Sequence, residues 1–98
     1  MQKVFKSFEG VIEYLNKVDC YDYICPLNAG VSLFLNIRNG RAHVACAFYS
    51  EANDAYTVIV SHRREIRHDD EGDYILYCDC RHNISQFSYV GDKYKVRH

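Results

Sequence analysis

Hydrophobic and polar side chains alternate most regularly between Val31 and Val60, and that stretch organises the rest of the chain. It divides at Asn39-Gly40. Both central residues of a type I′ turn need positive φ, and Asn-Gly tolerates that better than other pairs. A two-residue turn there pairs Arg38 with Arg41, Ile37 with Ala42, Leu35 with Val44, Leu33 with Cys46 and Val31 with Phe48. Every second pair is apolar on both strands, so turn chemistry and side-chain pattern select the same register. A slip by one position would turn the whole apolar set to the other face. The second face carries Ser32, Phe34 and Asn36 against His43, Ala45 and Ala47. Phe34 stands opposite Ala45, and the small side chains at 45 and 47 leave room for a helix or a bent strand.

Upstream, the pattern changes to helical spacing over residues 7–18. Phe8, Val11, Ile12, Leu15 and Val18 make one stripe, Ser7 is a fitting N-cap, and Glu13 lies one turn before Lys17. A helix this short is marginal alone, so its stripe must dock on the sheet. The connector 19–30 contains Cys20, Tyr21, Tyr23, Ile24 and Leu27, too apolar for a solvated loop. It is expected to pack, as a short edge strand or a helical turn. Downstream the alternation predicts a strand over 55–62, with the charged residues 62–68 extending it or leaving the sheet. A turn over 69–73 follows, with Gly72 supplying positive φ. A strand over 74–81 would place Tyr74, Leu76, Cys78 and Cys80 on one face, and strands over 85–90 and 93–96 complete the pattern. The expected fold is α+β and a single domain over 1–98. An N-terminal helix precedes a strongly bent five- or six-stranded antiparallel sheet, closed as a small barrel or left half open with the helix across it.

Composition narrows the class. The chain has 98 residues, 48% of them hydrophobic and 26% charged, which fits one globular domain with a modest core. A net charge of −1 offers no global basic field for nucleic acid. Nine Tyr and no Trp tilt the composition towards strands and contact surfaces. No apolar run reaches the roughly 18 residues of a spanning helix, and the N-terminus lacks the apolar core of a signal peptide. Five Cys is an odd number without a secreted framework, so an intracellular chain with reduced thiols, cytoplasmic or nuclear, is expected.

A helix followed by antiparallel strands in this length resembles the Sm-like fold. Gly40-Arg41 stands at the first motif's turn, Ala45 where a bend-permitting Gly is usual, Asn53 at the Asp position, and Tyr56-Thr57 before Val58-Ile59-Val60. The second motif is similar to Leu76–Asn83 followed by Phe87-Ser88-Tyr89-Val90, with His82 at the Gly position. The departures fall on nucleotide-contact positions, which looks more like the divergent Gemin-type scaffolding subunits of the SMN complex. The resemblance implies subunits joined strand to strand, the fourth strand of one pairing with the fifth of its neighbour. For an RNA-binding member it implies contacts from Asn53, Tyr56, Arg81 and Asn83.

The chemistry-bearing residues support little else. Cys78, Cys80 and His82 invite a zinc site, with Cys20 and Cys25 as further thiols. On one strand, however, alternate side chains sit roughly 6–7 Å apart, too far to share an ion without a bulge. Core packing of Cys78 and Cys80 is the simpler expectation, and no metal or cofactor is expected. A Cys–His nucleophile using His43, His62 or His82 lacks an orienting group and an oxyanion hole, so an enzyme is not expected. His62–His68 is the one basic cluster, cancelled by Asp69, Asp70, Glu71 and Asp73. It would suit a phosphate backbone only with Tyr49 or Tyr56 stacking on a base. The segments 74–81 and 85–90 have few charges and no Pro, so as edge strands they offer open backbone groups to another chain. The expected function is a non-enzymatic assembly subunit binding a protein partner there, anchored by Leu76, Tyr77, Phe87 and Tyr89. An RNA-binding module and a small viral or phage-type inhibitor of a host protein are the alternatives.

Overall fold

The computed structural model describes residues 2–19, 21–27 and 30–90. A short strand β1 (Gln2–Phe5) precedes helix α1 (Phe8–Asp19). Then come β2 (Tyr23–Pro26), β3 (Val31–Arg38), β4 (Arg41–Ser50) and β5 (Ala55–Glu65). The last part holds β6 (Arg67–Asp69), β7 (Gly72–Tyr77), β8 (Cys80–Asn83), a 3₁₀ turn (Ile84–Gln86) and β9 (Ser88–Tyr89). The β3–β4 hairpin has the register that the alternation predicts, from Arg38 opposite Arg41 to Val31 opposite Phe48. Asn39 and Gly40 take φ of 51° and 72°, as a type I′ turn requires.

Two antiparallel sheets result. The larger runs in the order β1-β5-β4-β3-β2-β9, the smaller β6-β7-β8. The chain passes from one to the other at Ile66, between β5 and β6. The larger sheet is open, with β1 and β9 at its two ends, and this corrects the barrel form of the expected fold. The physical reason is that both its faces are apolar and both are covered from outside. On one face Phe34, Ala45, Ala47 and Val58 pack with Val11, Ile12 and Leu15 of α1. On the other, Leu33, Leu35, Ala42 and Val44 pack with Ile75 of β7 and with Phe87. A closed barrel would bury only one of these faces. Each fully buried side chain of the Phe34 or Leu35 class contributes about 1.5–3 kcal/mol relative to exposure, so neither face is left wet.

The helix begins where its sequence places it. Ser7 accepts a hydrogen bond at Oγ from the Gly10 amide at 3.1 Å. The small Ala45 and Ala47 admit the Val11/Ile12/Leu15 stripe; the side chain of Val18 lies outside the description. β5 is irregular beside Ala45: residues 61 and 62 together face Val44, between the pairs His43–Arg63 and Ala45–Val60.

Four expectations change. The connector contributes β2, an interior strand between β3 and β9 rather than an edge. It carries the buried Ile24 and Cys25, while Cys20 lies outside the described residues. The strand expected over 74–81 is a hairpin, because Cys78 and Asp79 take φ of 51° and 60° and reverse the chain. Tyr77 therefore pairs with Cys80, and Ile75 with His82. Cys78 and Cys80 are exposed rather than core. The strand expected over 85–90 is mostly the 3₁₀ turn, with only Ser88–Tyr89 extended. The arm expected over 93–96 lies outside the described residues.

Candidate functional site

Open strand edges are the feature most suited to recognition. β1 has a neighbour on one side only, as does β9, so part of the backbone N–H and C=O row of each has no strand partner among the described residues. Val4, in the middle of β1, is 61% exposed. Tyr89 on β9 is 49% exposed and stands edge-on to Tyr23 at 5.8 Å. In the smaller sheet, β6 and β8 are the outer strands. Leu76 is 42% exposed on β7. It shares the sheet's outer face with its partner Arg81, whereas Ile75 points to the core.

The four expected partner anchors therefore occupy different settings. Leu76 and Tyr89 are at the surface. Tyr77 is half-buried against the core, with the Arg64 guanidinium 5.5 Å from its ring centre. Phe87 is buried within the core. The β1 edge had no place in the sequence reading. Its signal was the β-branched and aromatic pair Val4-Phe5 between Lys3 and Lys6, ahead of the Ser7 cap and too short to register beside a helix.

Of the residues that the resemblance implies for RNA, Arg81 and Asn83 come together in a charged cluster on the smaller sheet. Arg81 Nη1 and Nη2 donate to the two carboxylate oxygens of Asp69 at 2.6 and 2.9 Å. Its Nε donates to Asn83 Oδ1 at 2.7 Å, and its guanidinium lies 3.8 Å from the Tyr74 ring centre. The Arg81 hydrogen bonds, aided by the Glu71 amide, hold the Asp69 carboxyl down at about 2. The same contact raises Arg81. The Arg81 guanidinium and the Asn83 amide oxygen are occupied within the chain. Nearby, His68 Nδ1 and Asp73 Oδ1 are 2.8 Å apart.

Asn53 and Tyr56 belong to the other sheet. Asn53 is in the exposed turn before β5 and donates from Nδ2 to Ser50 Oγ at 3.4 Å. Tyr56 is half-buried between Tyr49 and Phe8, at ring separations of 5.1 and 5.6 Å. Tyr49 donates its hydroxyl proton to Asp54 Oδ1 at 2.6 Å, which raises the phenol pKa.

Cys46, Cys78 and Cys80 are free thiols. Burial raises the Cys46 pKa, and the neighbouring Cys78 adds to the effect. That favours the protonated, unreactive thiol. Cys78 sits in the turn ahead of β8, so Cys78, Cys80 and His82 do not share one strand. Among the described residues no three His, Cys, Asp or Glu side chains converge to hold a metal ion. His43 and Cys46 are on opposite faces of the larger sheet, paired with Asn36 and Leu33. They do not make a nucleophile pair, and the side chain of His62 lies outside the description.

No helix among the described residues is long and apolar enough to cross a membrane. Comparison with protein-family models, curated protein sequences and solved structures gives no match.

Proposed function

We propose that this chain is a non-enzymatic subunit of a macromolecular assembly, which holds a protein partner by strand addition at the rim of its larger sheet. The observation that carries the proposal is the open order β1-β5-β4-β3-β2-β9, whose two outer strands each have one neighbour among the described residues. An unpaired strand edge is a template for another chain's backbone, and exposed apolar side chains beside it add specificity. Tyr89 and Val4 are the exposed apolar side chains at the two rims, with Leu76 on the smaller sheet as a further contact. The Sm-like mode of assembly, strand to strand between subunits, belongs to this proposal. Its closed-barrel form draws no support from an open sheet. The free thiols of Cys46, Cys78 and Cys80 suit a reducing, intracellular setting.

Direct RNA contact is less favoured, because Arg81 and Asn83 are engaged with Asp69 and with each other. The test is site-specific photo-crosslinking in the cells that make the protein. The probe is placed at Val4, Leu76 or Tyr89, and for comparison at Glu13 on the exposed side of α1 and at Asn53. Protein adducts concentrated at the rim positions support the proposal. Adducts concentrated at Glu13, or nucleic-acid adducts at Asn53, contradict it.

A further inference from the structure

We infer that the β1 rim takes an extended segment of a partner protein in which acidic residues flank an apolar pair. The inference rests on the strand-addition reading and narrows it to one rim and one partner chemistry. β1 pairs with β5 from Gln2 opposite Ile59 to Phe5 opposite Tyr56, and its other side is open among the described residues. The registers carry Val4 to Thr57, Thr57 to Phe48, and Phe48 to Val31. Directly paired residues share a face, so Val4 is the exposed end of a row crossing four strands on the face away from the helix. An apolar side chain placed beside Val4 would lengthen that row by one strand.

Basic residues bracket the apolar pair Val4-Phe5 on the same rim. Lys3 pairs with Val58 on the helix side, and its ammonium lies 5.1 Å from the Tyr14 ring centre. Lys6 follows directly and is exposed. Arg63, exposed and opposite His43, adds a further positive charge along β5 past the Gln2 end of β1. No carboxylate among the described residues pairs with Lys3, Lys6 or Arg63. A strand paired with β1 would set acidic residues opposite Lys3 and Lys6 and an apolar pair opposite Val4 and Phe5. A second copy of this chain fits poorly, because its own Lys3 and Lys6 would arrive beside these. A nucleic acid would use the basic charge but leave the open amides and Val4 without partners.

The test uses the isotope-labelled full chain, titrated with a short peptide built on Glu-Val-Val-Glu. The same peptide with Lys for Glu and a single-stranded oligouridylate are the comparisons. The Glu peptide is expected to shift the Lys3–Phe5 amide resonances, to slow their hydrogen exchange, and to bind more weakly as salt is added. The Lys peptide and the oligonucleotide are expected to leave those resonances unmoved. The double variant Lys3→Glu, Lys6→Glu changes only exposed side chains, and unchanged melting confirms that it folds. It is expected to lose the response to the Glu peptide and gain one to the Lys peptide. Equal response to both peptides, preference for the oligonucleotide, or no response at β1 overturns the inference. A response confined to Ser88–Tyr89 overturns it while leaving strand addition standing. Absence of response at both rims, together with no rim crosslinks in cells, removes both.

Discussion

Asp69 shows how one side chain can be committed to structure rather than binding. Two hydrogen bonds from the Arg81 guanidinium and one from the Glu71 amide favour its charged form, and lower its pKa from 3.8 to about 2. A carboxyl whose folded pKa is depressed binds fewer protons folded than unfolded, so its contribution to stability is complete above the unfolded value. It is lost as the pH falls from about 3.8 towards about 2. Thermal melts across that window are expected to show a fall in stability that the Asp69→Asn variant lacks. Parallel acid curves for the two proteins would show that the contact contributes nothing. Arg81, the cation that the family resemblance implies for RNA, is the donor in this pair, and the half-buried Tyr74 ring lies under the same guanidinium.

At the scale of elements, two hairpins of the same turn type differ in how well their sequences announce them. Asn39-Gly40 takes positive φ with residues suited to it, while Cys78-Asp79 does so with residues that pay for it. A non-glycine residue in the left-handed region costs about 1–2 kcal/mol, less for Asp than for Cys. The double substitution Cys78→Asn, Asp79→Gly is therefore expected to stabilise the fold by about 1 kcal/mol in denaturant titration. A loss of stability would mean that the thiol or the carboxylate contributes more than turn strain removes. The same contrast explains what was legible in advance. The β3–β4 register could be read because turn residues and alternation agreed, residue by residue. Ser7 and the Val11/Ile12/Leu15 stripe placed the helix for the same reason. Around Cys78 the signals disagreed: alternation ran on through Tyr74, Leu76, Cys78 and Cys80, and nothing in Cys-Asp marks a reversal as Asn-Gly does. β1 and β2 were hidden by their length. Four residues beside a helix, or inside an apolar connector, acquire strand identity from their neighbours β5 and β3, which a linear pattern does not display.

For the whole molecule, the consequence of two apolar faces on one sheet is a layered domain whose end strands each have one strand neighbour among the described residues. Helix α1 covers the Phe34/Ala45 face and the smaller sheet covers the Leu33/Val44 face. Those layers cover the faces of the larger sheet, while β1 and β9 remain its terminal strands. The expected rims were the later strands of a single sheet. The structure instead sets the longer rim of the larger sheet at its first strand, Gln2–Phe5, and the shorter at Ser88–Tyr89. Recognition by strand addition depends on those rims being free in the isolated chain. Amide hydrogen exchange, followed residue by residue at several protein concentrations, measures that directly. Slow exchange is expected for the interior ladder of β3 and β4, with rapid and concentration-independent exchange at the outward amides of β1 and β9. Uniform protection of all these strands in the isolated chain would mean the rims are already covered, and would contradict strand addition as the way this protein binds.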